Sequence, residues 1–183
     1  MKVERTSIAD VLVVEPRVFG DARGFFMETW NASTFEGLGI KARFVQDNHS
    51  RSSRHVLRGL HYQLRQPQGK LVRVTAGEIW DVAVDLRRGS PGFGRWTGMT
   101  LDAGTPRMLW IPEGFAHGFV VLSEYAEVQY KTTDFYAPEH ERTLLWNDPA
   151  LAIDWPLGNP AAQPVLSDKD RRGTPLARAE TFA

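Results

Sequence analysis

The stretch Ile79-Trp80-Asp81-Val82-Ala83-Val84-Asp85-Leu86 decides the fold class. Trp80, Val82, Val84 and Leu86 are apolar and alternate with positions that include Asp81 and Asp85, the period-two pattern of a β-strand with one face in the core. The face with the two acids is expected to meet water or a pocket. Similar short runs, broken by Gly, Pro, Asp and Asn, recur along the chain. They cover Val11 to Glu15, Phe25 to Thr29, Phe44 to Asn48, Leu57 to Leu64, Lys70 to Thr75, Arg95 to Leu101, Arg107 to Ile111, Gly118 to Leu122 and Ala126 to Thr132. With about ten such strands and only short helices, one at Ser33 to Leu38 and a turn or helix at Ser167 to Gly173, the pattern predicts an all-β jelly-roll barrel or sandwich, in which closure removes exposed edges.

Composition narrows the chemistry. The 183 residues carry 22 Lys+Arg and 22 Asp+Glu, so no net positive field favours nucleic acid or a membrane surface as partner. Without Cys there is no thiolate nucleophile, disulfide or Cys-ligated metal, and reactions must use oxygen and nitrogen groups. Met1 to Asp10 is charged, and no run approaches ~18 apolar residues, so the expectation is a soluble, cytoplasmic chain. Residues 1–183 read as a single domain, with the tail from about residue 174 peripheral.

Five histidines are present, the side chains best suited to general base work at neutral pH. His61 shares Leu57-Arg58-Gly59-Leu60-His61-Tyr62-Gln63 with Arg58. A spacing of three puts Arg58 and His61 on opposite faces of a regular strand, so a common pocket requires a kink, for which Gly59 is the natural site. His117 ends Pro112-Glu113-Gly114-Phe115-Ala116-His117, a P-x-G-x-x-H pattern that resembles the second motif of the cupin superfamily, whose His commonly binds metal. The first cupin motif needs H-x-H and then Glu, where this chain has His61-Tyr62-Gln63-Leu64-Arg65. Too few ligands remain for a catalytic metal, and none is expected. Read locally, Tyr130 is a packed tyrosine and Lys70 a solvated lysine after a Gly turn. Arg23, Phe26 and Glu28 in Gly20 to Glu28, with Gln46 and Asn48 in Gln46-Asp47-Asn48-His49-Ser50, offer a guanidinium fork, aromatic faces and amides suited to a nucleotide.

Taken together and in order, these motifs carry a resemblance. R-G-F-F-x-E at Arg23 to Glu28, Q-D-N-H-S at Gln46 to Ser50, L-R-G-L-H-Y-Q at Leu57 to Gln63, Q-G-K at Gln68 to Lys70, I-P-x-G-F-A-H-G-F at Ile111 to Phe119, Y-K-T-T at Tyr130 to Thr133, and P-E-H-E-R with W-N-D-P at Pro138 to Pro149 resemble the dTDP-4-dehydrorhamnose 3,5-epimerase family over roughly residues 1 to 175. The resemblance implies a cupin-like jelly roll and cofactor-free epimerisation of a dTDP-4-keto sugar at carbons 3 and 5. By the same resemblance His61 is the base, Tyr130 the acid and Asp170 the partner of His61, with Asp168 competing for that last role. Lys70 is expected to stabilise the enolate, for which each preorganised donor is worth ~3 kcal/mol. Arg23, Phe26, Glu28, Gln46, Asn48, Arg58, Lys70, His117, Glu141 and Lys169 are the expected substrate contacts. A homodimer sharing the nucleotide site between chains is likewise implied.

Three alternatives stay open on sequence: a sibling that inverts one carbon only, a sugar-nucleotide-binding cupin without catalysis, and a metal-dependent cupin. Both His61 and Tyr130 argue against the second, because binding alone needs neither. The missing ligands argue against the third.

Overall fold

The computed structural model describes residues 1–158 and 163–183. Its strands are β1 (Lys2–Arg5), β2 (Leu12–Glu15), β3 (Val18–Asp21), β4 (Gly24–Met27), β5 (Gln46–Ser53), β6 (Leu57–Gln63), β7 (Lys70–Ala76), β8 (Glu78–Asp85), β9 (Trp96–Asp102), β10 (Met108–Ile111), β11 (Phe115–Val121), β12 (Tyr125–Thr132) and β13 (Glu141–Thr143), with short helices α1 (Ala32–Gly37) and α2 (Asp168–Arg171). All ten expected strands are present with shifted ends. The alternation did not reveal β1, β3 and β13, short segments (KVER, VFGD and ERT) in which no two apolar residues alternate. Asn31 caps α1 by accepting from the Thr34 N–H.

One sheet runs β1-β2-β10-β7-β12-β5 and the other β13-β6-β11-β8-β9. From β5 to β8 the chain changes sheet at every step, so the all-β jelly-roll expectation holds as two facing sheets rather than one closed barrel. The pair β3–β4 stands apart as an arm whose Phe25 and Phe26 are about 70% exposed, at 71% and 69%. No helix among the described residues is long and apolar enough to cross a membrane.

The space between the sheets is filled at one end by Val72, Val74, Ile79, Ala83, Leu109, Phe115, Phe119 and Val128. The reading of β8 needs correction here. Trp80, Val82, Val84 and Leu86 do lie in a core, but it is a second one, on the outer face of their sheet under Leu144, Leu151 and Trp155. Ile79 and Ala83 face the space between the sheets, and Asp81 and Asp85 are fully buried rather than wet. Each acid has a partner that one strand cannot reveal: His117 for Asp81, and Arg87 with Ser90 for Asp85. The tail, expected at the periphery, adds Leu176, Ala179 and Phe182 to the second core, and the Tyr62 hydroxyl donates to the Glu180 carbonyl at 2.6 Å.

Candidate active site

Strand β6 supplies the central group through an irregularity. Against β11, His61 stands opposite His117 and Arg58 opposite Phe119, so three steps on β6 match two on β11. The extra residue is the bulge expected around Gly59. Gly59 has φ +130, and a Cβ there would come within 2.5 Å of the Gly118 Cα and 2.9 Å of the His117 carbonyl oxygen. Only a glycine fits so close an approach with that backbone. The shift turns Arg58 and His61 to the same side, and both line a cavity of about 350 Å³ between the sheets.

Behind His61 sits Asp170. The His61 Nε2–H donates to Asp170 Oδ1 at 2.5 Å, while Ser167, the N-cap of α2, donates its hydroxyl to Asp170 Oδ2 at 2.7 Å. Asp168, the competing residue, points away with a side chain 88% exposed. Burial pushes the Asp170 carboxyl upward, but the hydrogen bonds from His61 and Ser167 outweigh it and leave the group below the usual carboxylate range. The ionised carboxylate can only accept, so Nε2 carries the proton and Nδ1 keeps the lone pair. Burial holds His61 below its ordinary value against the upward pull of Asp170, so the ring is neutral at pH 7.

The opposite wall belongs to the other sheet. Tyr130 on β12 lines the cavity and rests on the inter-sheet core, and burial raises its hydroxyl above the usual phenol value. Lys70, read locally as solvated, is 8% exposed and donates from Nζ to the His61 carbonyl oxygen at 3.2 Å. Burial pulls it down to about 8, although Asp81 and Glu141 pull upward. Asn48 stands opposite Tyr130 on β5, and Gln46 donates to it at 3.0 Å. His117 is buried with Nε2 held between both Asp81 oxygens at 2.9 and 3.0 Å. Arg58 is anchored through Nε to Ser52 at 2.9 Å, and among the described residues its terminal nitrogens have no hydrogen-bond partner. At the rim Glu141 accepts from Lys169 at 2.9 Å and from the Tyr136 hydroxyl at 3.2 Å.

Nine of the residues singled out in the sequence thus line one cavity: His61, Lys70, Tyr130, Gln46, Asn48, Arg58, His117, Glu141 and Lys169. Asp170 completes the set from behind. Arg23, Phe26 and Glu28 are not brought there. Arg23 pairs with Asp21, Phe26 is exposed on the arm, and Glu28 accepts from Asn31 at 3.1 Å. Not singled out as site residues were Asp81, Gln63, Gln68 and Tyr136, each of which has a hydrogen-bond partner far away in sequence.

A base–acid arrangement across a polar cavity fits proton abstraction next to a carbonyl, and relatives point the same way. A family model described as dTDP-4-dehydrorhamnose 3,5-epimerase matches residues 5–178. A protein of that name from Pseudomonas aeruginosa is 64% identical over 183 residues, covering 100% of this chain and 99% of the relative. A dTDP-6-deoxy-D-glucose-3,5-epimerase from Legionella pneumophila, crystallised with dTDP-4-keto-L-rhamnose, is 53% identical with a TM-score of 0.93, covering 98% of this chain and 94% of that one. More distant is ChmJ, a 3′-monoepimerase from Streptomyces bikiniensis crystallised with dTDP-quinovose, at 32% identity and a TM-score of 0.86, covering 94% and 87%.

Proposed function

This chain belongs to the dTDP-4-dehydrorhamnose 3,5-epimerase family, and we propose that the cavity between its sheets is where the epimerisation takes place. The enzyme is an isomerase that converts dTDP-4-dehydro-6-deoxy-D-glucose to dTDP-4-dehydro-L-rhamnose. The observation that carries the assignment of roles is the placement of His61 and Tyr130 on facing sheets, lining one cavity.

The substrate supplies its own acidifying group, the 4-keto oxygen, which lowers the acidity barrier at carbons 3 and 5 without a cofactor. His61 Nδ1 takes the proton, and the C–H electron pair moves into the enolate. Asp170 holds the ring in the right tautomer and stabilises the imidazolium, the role an Asp plays for His in a hydrolase triad. The Lys70 ammonium lies against the His61 backbone carbonyl, where it can meet the developing oxyanion. Tyr130, kept protonated by its raised pKa, delivers a proton to the carbon from the other face, and that face change inverts the centre. Exchange with solvent then returns His61 and Tyr130 to their starting states.

Arg58 and the amides of Gln46 and Asn48 are assigned to the diphosphate and nucleotide. Arg23, Phe26 and Glu28 are assigned to the nucleotide site of a second copy, so that the enzyme is a homodimer with shared sites. The exposed aromatic arm outside the chain's own cavity supports this reading.

The test of the chemistry is deuterium entry at carbons 3 and 5 in D₂O. His61→Ala is expected to abolish exchange at both carbons while dTDP still binds. Persistent exchange removes His61 as base, and label at one carbon only in the wild type marks a single-site epimerase. For the shared site, His61→Ala and Arg23→Ala chains are mixed. Random pairing makes half the dimers mixed, each with one intact site of two, so about a quarter of wild-type activity returns; no recovery despite mixed dimers refutes sharing.

A further inference from the structure

Among the described residues the Asp170 carboxylate accepts two side-chain hydrogen bonds, one on each oxygen. Oδ1 takes His61 Nε2 at 2.5 Å and Oδ2 takes the Ser167 hydroxyl at 2.7 Å. The same serine accepts from the Asp170 N–H at 3.2 Å, so side chain and backbone of Asp170 close a ring on Ser167. In a capping box the side chain three residues after the cap turns back to the cap's own N–H. Here that side chain accepts from the serine hydroxyl and from His61 instead, which directs it toward the cavity.

The helix that carries Asp170 is a single turn and does not hold its own position. It is strung between two anchors on the sheet of His61. Ahead of it the Leu57 N–H donates to the Val165 carbonyl at 3.0 Å, and the Val165 N–H to the His55 carbonyl at 2.8 Å. Behind it the Thr174 N–H donates at 2.8 Å to the carbonyl of Thr143, the residue opposite His61 on β13. These bonds place the backbone of α2, and none of them touches the carboxylate. An Asp carboxylate rotates in a broad, shallow well, so its direction depends on its partners.

We propose that Ser167 is a positioning residue of the epimerase: it holds Asp170 Oδ2 so that Oδ1 stays in line with His61 Nε2, and it shares the carboxylate charge that would otherwise fall wholly on the imidazole. This rests on the reading of the cavity as the epimerisation site with His61 as its base. Other charged groups stand around His61. Lys169 comes from α2, Lys70 from β7 and Arg58 from its own strand. His117, bound to Asp81, stands opposite it on β11; Glu141 on β13 meets Lys169, and Tyr130 lines the far wall on β12. Substitution of Ser167 leaves all of these in place. With the hydroxyl gone, Asp170 concentrates its charge on His61 and favours the imidazolium, so the acid limb of the pH profile moves to higher pH. A merely loosened α2 would separate Asp170 from His61 and move the limb the other way.

The experiment measures kcat/KM against pH, deuterium entry at each carbon and dTDP affinity by calorimetry. It compares wild type, Ser167→Ala, Ser167→Gly, Ser167→Thr, Asp170→Asn and the Ser167→Ala/Asp170→Asn double variant. Ser167→Ala is expected to lower the plateau roughly 5- to 10²-fold through misalignment of the base, to move the acid limb to higher pH, and to leave dTDP affinity unchanged. Ser167→Gly removes the hydroxyl but is nearly neutral as a cap, and serves if the alanine variant does not fold. Ser167→Thr restores the hydroxyl and should return the limb to its wild-type position. In the double variant no carboxylate charge remains to be shared, so its limb should coincide with that of Asp170→Asn. The proposal is overturned by a limb that stays put or moves to lower pH in the alanine and glycine variants, by an upward shift that persists in the double variant, or by a loss that only follows the fraction of protein able to bind dTDP. Exchange that persists in His61→Ala would instead remove the base itself, and the role of Ser167 with it.

Discussion

Asp170→Asn removes a charge and little else. The residue is 3% exposed, with Oδ1 2.5 Å from His61 Nε2 and Oδ2 2.7 Å from the Ser167 hydroxyl. Asparagine has the same shape, and Ser167, which already accepts from the Asp170 N–H at 3.2 Å, can turn to accept from the new amide. His61 can therefore keep its orientation while it loses an ionised partner for the imidazolium. A hydrogen bond to a charged group is worth about 1.5–3 kcal/mol net. At 1.36 kcal/mol per decade this predicts a fall in kcat/KM of roughly 10- to 160-fold. A direction comes with the magnitude. Burial lowers the His61 pKa, Lys169 and Lys70 lower it further, and Asp170 is the group that pulls it up. His61 works as a base only when neutral, so activity climbs with pH through its pKa in the free enzyme. Without Asp170 that acid limb moves to lower pH even as the plateau drops. The assay is kcat/KM against pH for both proteins. A limb that stays put or moves upward would falsify the assignment of Asp170 as the charge behind the base, and so would a plateau within about threefold of wild type.

Tyr130→Phe is expected to slow net inversion by ~10²–10⁴ and to leave initial proton loss less affected, measured as product formation against deuterium exchange; equal loss in both counts against Tyr130 as the acid. Lys70, pulled down to about 8 by burial, loses its charge as pH rises through that value, so activity should decline there and the decline should be absent from the residual activity of Lys70→Met. The sign for stability is opposite. Between about 8 and the unfolded value near ~10.4 the unfolded chain binds more protons, so this group makes stability rise with pH, and urea titrations across that window should show Lys70→Met removing the rise. Gly59→Ala combines a disfavoured backbone with a contact at 2.5 Å on Gly118. Strain and overpacking together give a loss of roughly 2–5 kcal/mol by urea denaturation, and a variant as stable as wild type would mean that the bulge tolerates a Cβ.

How far the sequence could be read depended on the reach of each interaction. Alternation within single strands exposed ten of the thirteen, and the odd spacing of Arg58 and His61 called for the bulge at Gly59 because both facts are local. Alternation marks an apolar face but not what covers the other one. That is why Asp81 and Asp85 read as facing water or a pocket when β8 is buried on both sides. Lys70 read as solvated for the same reason, since its side chain is buried against the His61 carbonyl of β6, in the other sheet. Gln63 and Tyr136 were silent because side chain and loop backbone meet across 72 and 74 positions, a contact with no compositional mark. Arg23, Phe26 and Glu28 were recognised by their chemistry, and one chain gives no position for them at its own cavity.

Inversion makes a demand that a two-sheet architecture meets directly. A proton removed and returned on one face leaves the centre unchanged, so base and acid must stand on opposite sides of a flat enolate. A single sheet surface cannot hold both. Two packed sheets lie ~10 Å apart, enough for one ring between them, and here His61 comes from β6 in one sheet and Tyr130 from β12 in the other. The same demand explains why the bulge matters beyond its local geometry. In a regular strand the three-residue spacing would turn either Arg58 or His61 out of the cavity. The enzyme would then keep its base and lose the guanidinium assigned to the diphosphate, or keep the guanidinium and lose the base. By adding one residue opposite Gly118, β6 places His61, the proposed base, and Arg58 on one wall, at a distance from each other set by the strand.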